Sequence, residues 1–284
     1  MKVVRSVAEA RAFRAGSPSA RFGLVPTMGA LHAGHASLIG RAVRENELAV
    51  VSIFVNPTQF GPHEDFAAYP RDESADLAMC ERLGAAMVFA PTVDEMYPAG
   101  DATRVQPGPV AARLEGAARP GHFAGVATVV MKLFAILRPD VAYFGQKDFQ
   151  QLRVVQTMSR DLRLGVRVAG CPTVRDPDGL AMSSRNRYLS ADDHQTALAF
   201  SRSLLAARED WSRGEREAAK LRDRVQRDTA VPGVALEYVS VADPLTLDEL
   251  EHPAERAVIS AAARVGKTRL IDNVLLGIAL EDIA

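Results

Sequence analysis

The sequence predicts a doubly wound α/β domain on a parallel sheet over residues 1–173, followed by a smaller α+β domain over residues 174–284. Three observations predict it. Through the first half, uninterrupted apolar runs of strand length alternate with segments of helical period, the pattern of β-α-β units whose strands are buried on both faces. Capping residues, Gly and Pro stand between these segments, where chain reversals need them. After Pro172 the order changes to two Arg-rich amphipathic helices and then alternating strands, as in a separate α+β unit.

Ser6 and Glu9 have the spacing of a capping box, which opens a first helix ending near Gly16. Residues 22–28 form an apolar run suited to a buried strand. Leu31, His35, Leu38, Ile39, Ala42 and Val43 then recur at helical spacing. Residues 48–55 read as a second buried strand, 72–83 as a helix stopped by Gly84, and 86–90 as a strand. A helix over 126–137 ends before Pro139, and the strand 141–144, the helix 149–162 and the strand 166–169 follow. The run Arg175-Asp176-Pro177-Asp178-Gly179 is turn chemistry and marks the expected hinge. Beyond it, helices are predicted over 192–214 and 215–229, and strands over 236–242, 257–263 and 269–278.

Bulk properties narrow the function. The chain has 284 residues with 34 basic and 35 acidic side chains, so its formal charge is −1. That balance leaves no field for nucleic acid or an anionic membrane, and any anionic ligand needs a local cluster. Cys80 and Cys171 are too few for a disulfide framework and suit no zinc spacing, so two buried thiols are expected. Residues 1–5 lack the apolar core of a signal peptide, and no apolar run approaches the roughly 20 residues of a membrane span. A cytoplasmic protein is expected.

The strongest chemical signal is Pro26-Thr27-Met28-Gly29-Ala30-Leu31-His32-Ala33-Gly34-His35, where the first buried strand gives way to a helix. Ligands of open α/β sheets bind at the carboxyl ends of strands, and a helix N-terminus there offers N–H groups to phosphate. His32 and His35 share one face of the first helical turn and suit charge developing on a phosphoryl centre. A second basic element is Met182-Ser183-Ser184-Arg185-Asn186; its hydroxyls and guanidinium suit phosphate oxygens. Alone it is an ordinary polar loop, but the histidine motif makes it informative. Two more segments sit at strand ends. Asn56, Gln59 and their neighbours follow the second strand; Gly145, Lys147, Asp148 and Gln151 follow the strand at 141–144. Neutral amides at Gln59 and Gln151 can hold a polyhydroxylated acid without trapping its carboxylate in an ion pair. Residues 61–71, beside Gln59, read as a gate that excludes water from a labile intermediate.

The His-x-Gly-His pattern resembles the "HIGH" signature of the Rossmann-like nucleotidyltransferase superfamily. In detail the chain resembles the pantoate–β-alanine ligase (pantothenate synthetase) family. PTMGALHAGH, SIFVNPTQF, EDFAAYPR, HFAGVATVVMKLF, FGQKDFQQL, DGLAMSSRN and TRLIDN carry the resemblance, in order along nearly the whole length. It implies ATP-dependent activation of pantoate as pantoyl-adenylate, followed by attack of β-alanine and release of AMP. It places Met28, His32, His35, Gly145, Lys147, Asp148, Met182, Ser183, Ser184 and Arg185 at ATP, with His32, His35 and Lys147 catalytic. Gln59, Gln151 and Asn56 fall at pantoate. Mg²⁺ is implied, with Asp76 at an acidic position tied to the metal, although the adjacent Ala75 is acidic in some relatives. Gln146 and Asp176 stand where Glu is frequent. A homodimer without nucleic-acid or membrane partners is also implied. The alternatives are a nucleotidyltransferase acting on another small substrate, which has no use for two glutamines on an acid, and a catalytically silent binding protein, which need not keep His32, His35, Lys147 and Arg185.

Overall fold

The computed structural model describes residues 1–62, 64–252 and 254–283. They form two units. The first comprises residues 1–145 and 150–171, and the second comprises 146–149 and 172–284. The units divide at 171/172, beside the expected 173/174, and the excursion at 146–149 carries no signal in the sequence.

In the first unit the chain runs β1 (Lys2–Val4), α1 (Val7–Ala15), β2 (Phe22–Thr27), α2 (Ala33–Glu45), β3 (Leu48–Ile53), α3 (Glu73–Arg82), β4 (Met87–Phe89), α4 (Val93–Met96), α5 (Glu115–Ala118), α6 (His122–Leu137), β5 (Val141–Gly145), α7 (Phe149–Asp161) and β6 (Arg167–Cys171). The six strands lie in the order β1-β4-β3-β2-β5-β6, and every pair is parallel. Val25, Val51, Val88, Val141 and Tyr143 are fully buried, as strands covered on both faces must be. From β2 the sheet spreads through β3 and β4 to one side and through β5 and β6 to the other. The carboxyl ends of β2 and β5 therefore flank the topological switch point, where doubly wound sheets bind ligands.

Local signals explain most boundaries. Ser6 and Glu9 do form a reciprocal capping box on α1. Asp72 caps α3 by accepting the Ala75 N–H. Several features depart from the sequence reading, which carries no α4 or α5. The edge strand β1 has three residues, two of them exposed, which is too short to give an alternation. Helix α6 begins at His122, four residues before the expected start, behind Gly121 in the left-handed region at φ 86°. Cys80 and Cys171 are buried free thiols, and burial pushes the Cys80 thiol up to about 11.

In the second unit, α8 (Ala191–Ser212) and α9 (Ala218–Thr229) precede a three-stranded antiparallel sheet, β7 (Val234–Ala242), β8 (Ala257–Val265) and β9 (Thr268–Leu276). Phe200, Leu204, Leu221, Val225 and Ile259 form its core, between the helix pair and the inner sheet face. No helix among the described residues is long and apolar enough to cross a membrane.

Candidate active site

The loop leaving β2 is shaped from beneath. Gly29 and Ala30 both take left-handed backbone angles, φ 81° and 51°. Such angles cost a non-glycine residue free energy unless its surroundings impose them. Asp76, on α3 and only 3% exposed, supplies that constraint. Its Oδ2 accepts the Ala30 N–H at 2.8 Å and its Oδ1 accepts the Leu31 N–H at 2.7 Å. Thr27 adds a third tie, its hydroxyl accepting the Gly29 N–H at 3.2 Å. A Cβ at Gly29 would lie 2.8 Å from Asp76 Oδ2, so glycine is required there on two counts.

The loop delivers two imidazoles to the start of α2. His32 caps the helix, its Nδ1 accepting the Gly34 N–H at 3.1 Å. His35 returns the bond, its Nδ1 accepting the His32 N–H at 3.3 Å. The ring centroids are 4.1 Å apart. Because each Nδ1 is an acceptor, each neutral ring carries its proton on Nε2. Both are thereby set as Nε2–H donors at a helix N-terminus, a place that favours phosphate.

Beyond β3, Asn56 caps a short 3₁₀ turn, Pro57–Gln59. Gln59 is 8% exposed and its Nε2 lies 3.0 Å from Met28 Sδ, so this turn and the β2 loop meet. Helix α6 holds the turn from the other side. A Cβ at Gly125 would fall 2.3 Å from the Thr58 carbonyl oxygen, so helix and turn touch backbone to backbone. The Gln59 carbonyl accepts from His122 Nδ1 at 2.8 Å. Arg119 binds Glu64, in the expected gate, through two bonds of 2.6 and 2.7 Å, tying Glu64 to the α5–α6 junction. Burial works to raise the Glu64 carboxyl, but the Arg119 guanidinium outweighs it and the net shift is downward. Of the expected gate, His63 lies outside the described residues.

Burial, reinforced by the neighbouring Arg119 charge, lowers the His122 imidazole to about 4. The unfolded chain binds that proton near pH 6.5 and the folded chain only near pH 4, so stability falls as pH drops through this window. The thermal midpoint is expected to fall more steeply between pH 6.5 and 4 in the native protein than in His122→Gln. Parallel slopes would remove His122 as the cause.

Gly145 closes β5, and the half-buried Gln151 lies in the first turn of α7, also in the first unit. Lys147 and Asp148 belong to the second unit, with Lys147 Nζ 3.9 Å from Asp148 Oδ1. Asn273 on β9 holds the backbone of Gln146 and Lys147, its Nδ2 donating to their carbonyls at 2.8 and 2.9 Å. The adjacent Asp272 takes both arms of Arg175, at 2.6 and 3.0 Å. Met182 opens the segment that follows, its N–H donating to the Val174 carbonyl at 3.0 Å. Ser183 caps the turn Ser184–Tyr188 by accepting the Arg185 N–H at 3.2 Å. Asp272 and Asn273 are structural keys of this unit; the sequence marked them only as the end of the TRLIDN stretch, without a role.

Among the described residues, magnesium finds no ready-made protein site: no group of three or more His, Cys, Asp or Glu is placed to hold a metal. Asp76 directs both oxygens to loop amides. These residues do not fit a protein-held metal ion.

Imidazole donors at the switch point of a parallel sheet, beside the carboxamides of Asn56 and Gln59, suit a phosphate-bearing ligand of a doubly wound α/β enzyme. The comparisons narrow it. The family model described as pantoate-beta-alanine ligase matches residues 2–275. The chain is 50% identical to the pantothenate synthetase of Geobacter sulfurreducens over 283 residues, covering 98% of this chain and 99% of that one. The crystal structure of pantothenate synthetase from Thermus thermophilus superposes with a TM-score of 0.92 at 49% identity, over 96% of this chain and 99% of the other. The pantoate-beta-alanine ligase of Francisella tularensis, complexed with beta-gamma ATP and beta-alanine, gives 0.80 at 34% identity, over 98% and 99%. The chain belongs to the pantoate–β-alanine ligase family, and it is a ligase.

Proposed function

We propose that this enzyme condenses pantoate with β-alanine in two steps on one ATP. A carboxylate oxygen of pantoate attacks the α-phosphorus and the bond to pyrophosphate breaks, leaving pantoyl-adenylate. The amine nitrogen of β-alanine then attacks the acyl carbon, AMP departs, and the ammonium proton passes to solvent. The observation that carries this reading is the pair of Nε2–H donors at the carboxyl end of β2, in a chain that matches the family over residues 2–275.

His32 and His35 meet the charge that builds on the α-phosphate, and Lys147 adds a compact cation. Met28, Gly145, Asp148, Met182, Ser183, Ser184 and Arg185 are assigned to ATP by their place in the family's motifs. Gln59 and Gln151 hold pantoate as neutral amides, which leaves its carboxylate nucleophilic. Residues 61–71, with Glu64 held by Arg119, are the gate that shields the adenylate from water. Magnesium belongs to this reading as a companion of the nucleotide's phosphates, not as a ligand of Asp76. A cytoplasmic homodimer completes the proposal.

Purified protein with ATP, Mg²⁺, pantoate and β-alanine is expected to form AMP and pantothenate in equal amounts. Pantoate with ATP alone is expected to release pyrophosphate. AMP formation indifferent to pantoate would overturn the assignment.

A further inference from the structure

A carboxamide has two ends of nearly the same shape and opposite chemistry, an NH₂ that donates and an oxygen that accepts. Which end of Gln59 faces its ligand therefore decides what the ligand must offer. The hydrogen bonds around Asn56, a buried residue 1% exposed, settle the matter. The Thr58 backbone N–H can only donate, and it points at Asn56 Oδ1 from 3.3 Å. The Gly125 carbonyl can only accept, and it lies 3.2 Å from Asn56 Nδ2. These two backbone groups allow one orientation of the Asn56 amide. The hydroxyls of Tyr97, at 2.8 Å, and Thr58, at 3.0 Å, reinforce it by donating to the same Oδ1. Burial raises the Tyr97 phenol, which keeps it an O–H donor.

The other hydrogen of Asn56 Nδ2 goes to Gln59 Oε1 at 3.1 Å. The acceptor end of Gln59 is thereby turned inward to the protein, and its Nε2 end is turned out beside Met28 Sδ. A thioether is a weak acceptor and an NH₂ carries two hydrogens, so that end keeps donor capacity.

We propose that Asn56, fixed by Thr58, Gly125 and Tyr97, is a positioning residue that makes Gln59 present its NH₂ end to an acceptor oxygen of the acid substrate. Asn56 acts through Gln59 and has no direct contact with pantoate. The inference rests on the reading that Gln59 holds pantoate. It adds a specificity rule: an acceptor oxygen is received at this position, and a donor-only ammonium is opposed.

The test is a double-mutant cycle read as the KM for pantoate. Asn56→Asp puts a second acceptor against Gln59 Oε1, which turns the Gln59 amide round and sets its oxygen against the substrate. A rise in pantoate KM of roughly 10–100-fold is expected, the scale of one hydrogen bond to a charged group, with the KM for ATP changed less than about twofold. In the Gln59→Ala background, which itself raises the pantoate KM, Asn56→Asp is expected to add less than about threefold, since sites acting through one group are not additive. Equal effects of Asn56→Asp in both backgrounds, or none in either, would overturn the positioning role. A Gln59→Ala protein with unchanged pantoate KM would instead remove the reading beneath it. Should Asn56→Asp fail to fold, the uncharged Asn56→Leu releases the amide and carries the same cycle, with a rise of about 5–10-fold expected and the same non-additivity deciding the outcome.

Discussion

Alanine at His35 is expected to lower kcat by about 10²–10³-fold, the usual scale for removing one donor aimed at transition-state charge. The geometry explains why so small a change reaches so far. The His35 Nδ1 accepts the His32 N–H, and that bond sets the proton on Nε2. Alanine removes the donor and also loosens the turn that holds the second imidazole, His32, through its own bond to the Gly34 N–H. The loss should fall on adenylate formation, followed as pantoate-dependent pyrophosphate release, while the KM for ATP moves little. The same scale is expected for Lys147→Ala. Turnover within threefold of the native enzyme in both variants would take them out of the reaction.

Asp76→Ala is expected to damage both stability and activity. The substitution strands two buried amides, Ala30 N–H and Leu31 N–H, now satisfied at 2.8 and 2.7 Å. Each unsatisfied buried donor costs roughly 1–3 kcal/mol, so the first unit should lose about 2–6 kcal/mol against denaturant. Ala30, held at φ 51°, also loses the bond that imposes that angle, and the imidazoles downstream lose their platform. A fall in kcat of about 10²-fold is expected, because misplacement by an ångström costs on that order. Asp76→Asn separates this role from metal binding. It keeps one acceptor oxygen and should retain part of the stability, with the Mg²⁺ concentration for half-maximal activity unchanged. A shift of tenfold or more in that concentration, with native stability, would make Asp76 a metal ligand instead.

What the sequence disclosed was what neighbouring residues decide. The buried strands β2, β3 and β5 are continuous apolar runs, and the α1 cap is written in four residues. His32 and His35 were legible because their spacing and their place after a strand are both local. What stayed hidden depends on distant partners. Asp76 receives amides 45 and 46 residues away, and Asn273 holds the Lys147 backbone from 126 residues away. Asn56 and Gln59 lie three apart, yet the direction of their bond is dictated by a carbonyl 69 residues downstream of Asn56. Asp76 was expected at a metal only through the family resemblance, and the fold shows which hydrogens it faces. The excursion of residues 146–149 into the second unit is likewise decided by β9, far along the chain.

Helix α6 carries a glycine at position 125, where alanine would favour the helix by about 1 kcal/mol. The absent methyl group is what lets the Thr58 carbonyl rest against the helix backbone. Local helical stability is thus sacrificed for proximity. A thermostabilising programme that swaps helical glycines for alanine has to pass over this one, because the methyl would push aside the turn that aims the pocket's amide.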